Sequence, residues 1–251
     1  MDAQKKYGSG LSNSDLERYD RQMMIPGWGR EGQRKLKSSK VVVAGTGGLG
    51  SPALLYLAAA GVGKLVIVDK ERFEFSNLNR QVLGWEEDVG RYKAEAASEK
   101  LRPLNSGVEA IPLIEEINEE NVDGIIDGAS VVVDALDNWR TRFTLNRGCV
   151  EKMIPLVHAG IFGLEGQITT IVPRSGPCLQ CIVPEPPREI ARFPVVGATP
   201  AFFAALQVIE TIKLIVGIGE PLVGKLLVFD GWSTSFTVTE VARRRNCPVC
   251  G

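Results

Sequence analysis

The segment from Val41 to Asp69 constrains the fold of this chain more than any other. An apolar run (VVVAG) leads into a glycine turn (GTGGLG, Gly45 to Gly50), a helical stretch follows, and a second apolar run (KLVIVD) ends at Asp69. Glycines at such a turn let backbone N–H groups approach a phosphate at a helix N-terminus, and an acidic residue about 20 positions later takes the ribose hydroxyls. The segment therefore predicts a nucleotide-binding strand–turn–helix unit in a parallel sheet.

Strands and helices alternate regularly from Lys40 to Gly160. After Gly160 the pattern changes to an alternating strand (GLEGQITTIVP), a proline-rich loop from Pro173 to Pro200, a helix and two strands (KLLVFDG and SFTVTEVA). The chain is therefore predicted to have an α/β fold, with a Rossmann-like, mainly parallel sheet, helices on both faces and antiparallel strands at the C-terminal edge. Before Gly160, the predicted strands are 41–45, 65–69, 107–112, 130–135 and 155–159, and the predicted helices are 49–60, 92–102, 118–126 and 139–152.

The overall charge excludes some classes of partner. The 29 basic and 30 acidic residues give a formal charge of −1, so no overall field would attract nucleic acid or anionic lipid. Polar residues interrupt the apolar stretches after Pro52 and from Ala201 to Ile218, so neither is predicted to span a bilayer. The N-terminus has no apolar signal-peptide region. We therefore expect a cytoplasmic protein that binds neither nucleic acid nor membranes.

Two Cys-x-x-Cys pairs give the most specific geometry in the sequence. In Cys178-Leu-Gln-Cys181 and Cys247-Pro-Val-Cys250, the spacing lets two thiolates bind one metal from a tight turn, and two such pairs complete a tetrahedral zinc site. Disulfides are disfavoured in a reducing cytoplasm, and thioredoxin-like motifs are disfavoured because neither pair opens a helix after a strand. Four thiolates leave no open position for water, so we expect the zinc to tie the C-terminus onto the proline-rich loop and not to take part in catalysis.

We expect a single domain with a flexible lead-in. Residues 1–13 are polar, and the spacing Ser14-x-x-Glu17 predicts a capped helix that continues through Met23. Residues 14–251 contain no internal repeat, and their C-terminal part, about 161–251, is the part that the zinc would tie down. The 44% hydrophobic content is ordinary for a chain that buries a core.

Several residues after Asp69 are not needed in a turn that only binds a dinucleotide. Asn77, Arg80 and Lys93 follow it, and two cations at this position suggest that a phosphate reacts there as well as binds. Asp137 follows the strand SVVV, at the edge of the sheet where open α/β folds bind their ligands. Its carboxylate could hold Mg²⁺ on nucleotide phosphates or cap the next helix, and both roles remain open.

The glycine turn also fits a nicotinamide or flavin cofactor. Hydride chemistry commonly uses an acid–base histidine, and His158 is the only histidine in the chain. It lies at the end of a predicted strand, where a packed side chain is the better interpretation. An NAD-dependent oxidoreductase is therefore the weaker hypothesis.

Taken together, these motifs resemble the MoeB/ThiF superfamily (HesA, MoeB and ThiF), the bacterial relatives of ubiquitin-activating enzymes, and most nearly its molybdopterin-synthase adenylyltransferases. Members adenylate the C-terminus of a small ubiquitin-fold sulfur-carrier protein. The resemblance thus implies ATP-dependent adenylation of a carrier's C-terminal glycine carboxylate, with release of pyrophosphate. It extends from about Leu16 to Gly251 through RYDRQ (18–22), GTGGLG (45–50), AAAGVG (58–63), SNLNRQ (76–81), GRYKAE (90–95), DALDN (134–138), EGQIT (165–169) and both cysteine pairs.

The resemblance also implies a role for each matched residue and names the partners. Arg21, Arg80, Lys93 and Asp137 would be catalytic, with Mg²⁺ at Asp137. Arg21 would reach into the site of a neighbouring subunit, which implies a homodimer. The substrate would be a small β-grasp carrier protein that ends in Gly-Gly. The nucleotide would be bound by Gly45, Gly47, Gly48, Gly50, Asp69, Ser76, Asn77, Arg80, Gln81, Lys93, Asp137 and Asn138.

One departure from the superfamily concerns the loop 182–200. Many relatives carry a cysteine there that bonds covalently to the carrier, whereas this loop contains none. We therefore expect adenylation without an enzyme–carrier thiol intermediate, and a separate sulfur donor. Cys149, in the predicted helix 139–152, is expected to be a small buried side chain. The carrier could serve molybdopterin, thiamine or cysteine biosynthesis, and adenylation of a short peptide or another ligand remains an alternative.

Overall fold

The computed structural model describes residues 10–188 and 193–251. Most of the predicted flexible N-terminus, 1–13, and four residues of the loop 182–200 lie outside this described part. The strands form one eight-stranded sheet in the order β3-β2-β1-β4-β5-β6-β7-β8. Their bounds are β1 Lys40–Ala44, β2 Lys64–Val68, β3 Glu109–Leu113, β4 Val131–Asp134, β5 Leu156–Phe162, β6 Glu165–Ile171, β7 Lys225–Asp230 and β8 Ser235–Glu240.

Strand β1 lies where the order of the parallel strands reverses. It pairs in parallel with β2 on one side and with β4 on the other, and β3 and β5 extend the parallel part outward. Strands β6, β7 and β8 add antiparallel pairs to the β5 side. A crevice opens at the carboxyl ends of β1 and β4, because the connections after these strands leave in opposite directions. The predicted mainly parallel sheet with an antiparallel C-terminal edge is confirmed.

Helices cover both faces of the sheet. Side chains alternate along β1, so that Val41 and Val43 pack with α4, α5 and α9, whereas Val42 and Ala44 pack with α6 and α7. Two buried apolar layers therefore flank the parallel strands, as predicted for an α/β fold. The helices are α1 Asn13–Arg18, α2 Asp20–Met23, α3 Gly29–Ser38, α4 Gly50–Ala60, α5 Lys93–Leu104, α6 Val122–Ile126, α7 Trp139–Glu151, α8 Leu179–Ile182 and α9 Ala198–Val216.

The first helix begins earlier than predicted and is broken. Its capping box joins Ser12 to Asp15, whose side chain and backbone exchange hydrogen bonds with those of Ser12. The predicted capping pair, Ser14 and Glu17, is therefore wrong by two residues. The helix also ends at Arg18, with Tyr19 as its C-cap, so that α2 forms a separate turn.

Two helices were not predicted. Helix α3 has the sequence GREGQRKLKS, in which Leu36 is the one large apolar residue, so no helical periodicity reveals it. Helix α8 is a single turn within the proline-rich loop and carries Cys181. Helix α6 is also shorter than the predicted 118–126, since Asn118 instead accepts the backbone N–H groups of Glu120 and Asn121 in a turn.

Helix α9 is, within the described part of the chain, long and apolar enough to cross a membrane. It packs instead against α3, α4 and strands β4, β5 and β6. Its buried Gln207 donates hydrogen bonds to the carbonyls of Asp134 and Val157. These contacts identify α9 as a core helix of the domain.

Candidate active site

A cavity of about 780 Å³ lies at the carboxyl ends of β1, β2 and β4. One end is formed by the glycine turn and the segment after β2, and the other by β5, β6 and the segment that precedes α9. The topology explains this position, because the strand order reverses at β1. The predicted site residues that line the cavity are Gly45, Gly47, Gly48, Asp69, Arg80, Lys93, Asp137 and Asn138.

The glycine turn is shaped by close backbone contacts. Gly45 has a φ of +97°, and a Cβ there would lie 2.6 Å from the carbonyl oxygen of Ala135. A Cβ on Gly50 would lie 1.9 Å from the carbonyl oxygen of Gly45. These glycines let the turn fold back onto itself and onto the end of β4, and the turn leads directly into the first turn of α4. Gly50 does not line the cavity, so its contact is with the turn itself.

Asp69 anchors the glycine turn to the end of β2. Its Oδ2 accepts the backbone N–H of Thr46 and its Oδ1 that of Glu71, both at 2.8 Å. Burial raises the pKa of Asp69 above its ordinary value, although these hydrogen bonds and Lys93 oppose the shift. The carboxylate is thus held in a fixed position at the cavity wall. Its remaining lone pairs can accept hydrogen bonds from the hydroxyl groups of a ligand.

Lys93 and Arg80 place positive charge in the cavity. Lys93 opens α5, is 3% exposed, and pairs through Nζ with Glu71 Oε2 at 2.6 Å. Arg80 donates from Nη1 to the carbonyl oxygen of Ser76 at 3.0 Å and to Asn79 Oδ1 at 2.9 Å. The carboxylate of Glu71 is mostly exposed, so an anionic ligand can compete with it for Lys93.

Asp137 and Asn138 follow β4 at the rim of the cavity. Asn138 is the N-cap of α7, and its Oδ1 accepts the backbone N–H of Thr141 at 2.9 Å. The alternative that Asp137 caps this helix is therefore wrong. The side chain of Asp137 is exposed in the cavity lining, where its carboxylate can bind a cation.

Four other predicted site residues lie outside the cavity lining. Ser76 offers its carbonyl to Arg80, and the buried Asn77 accepts the backbone N–H of Glu74. Gln81 is buried, and its Oε1 has no hydrogen-bond partner within the described part of the chain. Arg21 is exposed on α2 and does not line the cavity of its own chain.

A buried polar cluster beneath the cavity went unrecognised in the sequence. His158 Nδ1 lies 2.6 Å from Asp134 Oδ2, and both side chains are fully buried. Arg142 is 5% exposed, lines the cavity, and donates from Nη2 to the carbonyl of Leu136. Arg142 follows the N-cap Asn138 by four residues, so helical spacing could have placed it on the face of α7 that meets the cavity.

The protonation of this cluster follows from its burial. Burial alone would raise the pKa of Asp134, but the Arg142 charge and the His158 hydrogen bond outweigh it, so the pKa lies below the ordinary aspartate value. Burial lowers the pKa of His158, against the opposing effect of Asp134. Asp134 is therefore ionised and His158 neutral at pH 7. The interpretation of His158 as a packed strand residue is confirmed.

The four cysteines of the two pairs meet in space. Their sulfur atoms all lie within 4.8 Å of one another, and Cys178–Cys247 and Cys181–Cys250 are separated by 3.6 and 3.5 Å. A tetrahedral zinc with about 2.3 Å bonds needs sulfur atoms about 3.8 Å apart. The backbone N–H of Arg244 also points at Cys181 Sγ, at 3.4 Å. The cluster could therefore hold a metal ion.

Acidity differs among these thiols. Burial raises the pKa of Cys178 and of Cys181. At Cys247, burial is outweighed by the backbone N–H groups of Cys250 and Val249 and by hydrogen bonds from the other thiols, which lower the pKa to about 7. Cys149, the fifth cysteine, is fully buried and its pKa is raised by burial, as expected of an unreactive core thiol.

The fold and the cavity define a nucleotide-binding α/β protein with a four-cysteine cluster. The chain belongs to the ThiF family, which it matches over residues 19–249. It is similar to the SAMP-activating enzyme E1 of Haloferax volcanii, with 44% identity over 246 residues that cover 96% of this chain and 91% of that protein. It is also similar to the sulfur carrier protein adenylyltransferase of Thermus thermophilus, with 42% identity over 252 residues, 96% of this chain and 92% of that protein.

Solved structures support the same assignment. The crystal structure of E. coli MccB with ATP matches 98% of this chain and 76% of that chain, with a TM-score of 0.83 and 26% sequence identity. The resemblance to the MoeB/ThiF superfamily is thus confirmed across nearly the whole described chain.

Proposed function

We propose that this chain is an adenylyltransferase that uses ATP to activate the C-terminal glycine carboxylate of a small ubiquitin-fold sulfur-carrier protein. The observation that carries the proposal is the continuous cavity. Its cationic end, at the glycine turn, suits a nucleotide, and its other end, lined by Gly160, Ile161 and Gly166, suits an extended peptide tail. The names of the two relatives, an activating enzyme and a sulfur carrier adenylyltransferase, support the same activity.

The reaction needs positioning and charge stabilisation. An oxygen of the carrier's carboxylate attacks the α-phosphate of ATP, the bond to the leaving pyrophosphate breaks, and an acyl-adenylate results. The carboxylate is already ionised at neutral pH, so no general base is required. Negative charge increases on the α-phosphate and the leaving group, and Arg80 and Lys93 would stabilise it from the cavity wall. Asp69 would hold the ribose, and Gly47 and Gly48 would let backbone N–H groups approach the phosphates.

The chemistry of the donor sets fits two metal ions. The exposed carboxylate of Asp137 is a hard oxygen ligand of the kind that Mg²⁺ prefers, and bound Mg²⁺ would neutralise phosphate charge. The cluster of Cys178, Cys181, Cys247 and Cys250 offers soft thiolates at tetrahedral spacing, which suits zinc. Because all four positions would be taken by sulfur, this zinc would be structural.

The position of Cys149 bears on whether the carrier becomes covalently bound to the enzyme. Cys149 is inaccessible within the core, so it offers no thiol for a covalent carrier intermediate. We propose that the acyl-adenylate is passed to a separate sulfur donor. We also propose a homodimer in which Arg21, exposed on α2, completes the site of a second subunit.

The first test is ATP–pyrophosphate exchange with a panel of purified β-grasp carriers that end in Gly-Gly. At least one carrier should support exchange, and Arg80→Ala or Asp137→Ala should reduce its rate by roughly 100- to 1000-fold, the loss typical of removing one transition-state charge contact. Asp127→Ala, which removes an exposed carboxylate after α6, is the matched control and should exchange normally. Exchange with none of the carriers, or undiminished exchange by both site variants, would overturn the proposal.

Shared sites can be tested by mixing inactive variants. If Arg21 acts in the neighbouring site, Arg21→Ala and Asp137→Ala subunits complement each other, because a mixed dimer has one intact site. Random mixing should restore about a quarter of the wild-type sites. A mixture as inactive as either variant alone would show that Arg21 and Asp137 act within the same chain.

A further inference from the structure

The cavity contains a buried cation that the proposed nucleotide contacts do not use. Arg142 is more than nine-tenths buried, yet it lines the cavity where the glycine turn meets the ends of β4 and β5. Its Nη2 donates to the carbonyl of Leu136, and its Nε lies 3.9 Å from Asp134 Oδ1. These two contacts fix one side of the guanidinium.

The Nη1 nitrogen of Arg142 lacks an equivalent partner. Within the described part of the chain its hydrogen-bond contacts are with the two ring nitrogens of His158, each 3.4 Å away. His158 Nδ1 already donates to the ionised Asp134, so only Nε2 can accept, at the long end of the range for a hydrogen bond. A hydrogen bond of this length is weak, and a ligand carboxylate oxygen would give Nη1 a shorter, charge-assisted partner.

Gly160 leaves this nitrogen accessible. A Cβ at Gly160 would lie 3.2 Å from Arg142 Nη1, which is tighter than a normal contact. Gly160 itself lines the cavity, and it pairs with Gln167 across β5 and β6. The absence of a side chain at this position therefore opens Nη1 to the end of the cavity that we assign to the peptide tail.

We propose that Arg142, through Nη1, binds the terminal carboxylate of the tail that is to be adenylated. This inference rests on the proposed function and names the residue that recognises the acyl substrate. Binding one carboxylate oxygen to a fixed guanidinium would leave the other oxygen to attack the α-phosphate, so that the same contact selects an ionised chain end and orients it.

The charge balance of the cluster supports this assignment. Asp134 is ionised but divides its oxygens between His158, the backbone N–H of Leu136 and the distant Nε of Arg142. The charge of the guanidinium is therefore balanced by Asp134, but Nη1 donates no hydrogen bond to that carboxylate. The carboxylate of an incoming tail would supply that bond.

The test compares binding of a carrier with a free C-terminal carboxylate and of the same carrier made as a C-terminal amide. The carrier is one that supports exchange by the wild-type enzyme, and calorimetry with an ATP analogue whose α,β bridge cannot be cleaved measures the affinity of the carrier without the reaction. The wild type should prefer the free acid by at least about tenfold, as expected for a buried charge-assisted hydrogen bond. Arg142→Gln should abolish the preference, and Arg142→Lys, which keeps the charge, should restore part of it.

A second variant covers the case in which Arg142→Gln fails to fold. Gly160→Ala keeps the arginine and its contacts but crowds Nη1, and its backbone conformation allows a side chain. It should weaken binding of the free acid more than that of the amide, with the affinity for the ATP analogue unchanged. Arg140→Gln, on the exposed side of the same helix, is the matched control and should keep the full preference.

The outcomes separate this inference from the proposed function. If Arg142 only supports the loop 135–138, Arg142→Gln would weaken ATP binding and lower stability while leaving the ratio of acid to amide affinity intact. That result, or a preference that survives both Arg142→Gln and Gly160→Ala, would overturn the inference while exchange by the wild type still supported the function. If no carrier supports exchange, the proposed function is overturned, and this inference with it.

Discussion

The parallel and antiparallel parts of the sheet are stabilised in different ways. In the parallel part, β1, β2 and β4 are almost fully buried between two layers of helices. At the antiparallel edge, every residue of β8 is exposed and β7 is only partly covered. The chain after β8 returns to the four-cysteine cluster, which packs on the face covered by α6 and α7. The parallel part is buried on both faces, whereas the antiparallel part packs on that core only through one face of β6 and β7, where Phe229 contacts Phe202 of α9, and we expect the cysteine cluster to supply much of its remaining stability.

The two parts of the sheet also contribute different kinds of groups to the cavity. The strand ends of the parallel part and the segments that follow them carry charged groups, of which Asp69 is fixed by two backbone N–H donors and Lys93 by the carboxylate of Glu71. The antiparallel part contributes Gly166, Val228, Glu165 and Gln167 to the far end of the cavity. We infer that the parallel part supplies the reaction and that the antiparallel part supplies the shape that admits the tail.

The largest expected effect is the loss of the zinc that we propose for the four-cysteine cluster. Cys247→Ser, or removal of zinc by a chelator, should lower the free energy of unfolding by about 4 kcal/mol or more, because loss of a structural metal is among the most damaging changes to a domain. For a chain of this size, that corresponds to a fall in Tm of roughly 8–16 °C. Zinc content and thermal unfolding measure the effect.

The location of the damage tests the comparison between the two parts. Limited proteolysis of the chelated protein should cut in the two segments that carry the cysteine pairs, between β6 and α9 and after β8, while ATP binding persists. Cys149→Ala, which removes the buried thiol outside the cluster, should keep the proposed zinc and the resistance to protease. Simultaneous loss of ATP binding and of the C-terminal structure would mean that the two parts are not separately stabilised.

The next effect concerns Lys93, at the reactive end. Lys93→Ala should reduce pyrophosphate exchange by roughly 100- to 1000-fold, since a positioned cation is lost from the transition state. The fold should be little affected, because Glu71, the partner that remains, is mostly exposed to water. Lys152→Ala, which removes an exposed lysine paired with Asp123, is the matched control. Equal exchange rates for the two variants would remove Lys93 from the reaction.

The same contrast explains what could be predicted from the sequence. The buried strands of the parallel part are continuous apolar runs between turn signals, so their order along the chain and their bounds were predicted within a few residues. Helix α3 was missed because its buried face consists of Gly32, Gln33 and Leu36, which gives no apolar periodicity. The pairing of Lys93 with Glu71 depends on the distance between two segments, which spacing along the chain does not specify.

Arg142 and Asp134 show that contacts within the site were also hard to predict from the sequence. Spacing placed Asp137 and Asn138 at the sheet edge, but which of the two capped α7 depended on side-chain geometry. The contact of Arg142 with His158 joins a helix to the neighbouring strand, and such a tertiary contact leaves no pattern in the sequence. Charged residues at strand ends were therefore predictable, and their buried partners were not.

A smaller effect is expected at His158, on the strand that joins the two parts. The folded chain keeps this histidine neutral because burial lowers its pKa, whereas the unfolded chain takes up a proton below about pH 6.5. Acid therefore favours the unfolded state, and the free energy of unfolding should fall as the pH drops from 6.5 to 5, by at most about 1.4 kcal/mol per pH unit. Chemical denaturation at a series of pH values measures this slope.

The assignment of this slope is direct because His158 is the only histidine in the chain. His158→Asn, which keeps a side-chain donor for Asp134, should flatten the dependence between pH 6.5 and 5. The lowered pKa of Asp134 adds its own loss of stability at lower pH, which begins as the pH falls through the ordinary aspartate pKa and is complete below the pKa of the folded chain. An unchanged slope in the variant would mean that His158 is not held neutral.

The smallest effect is expected at Phe162, where β5 passes from the parallel to the antiparallel part. Phe162 is 50% exposed and lines the cavity beside Gly160 and Ile161. A tail bound along this end would cover part of the ring, so Phe162→Ala should raise the KM for the carrier about fivefold, equivalent to about 1 kcal/mol of apolar burial. The KM for ATP should stay the same, because the charged end of the cavity is untouched. Ile209→Ala, which truncates an equally exposed apolar side chain on α9, should change neither constant. If Phe162→Ala changed the KM for ATP as much as that for the carrier, the division between a reactive end and a shape-selective end would be wrong.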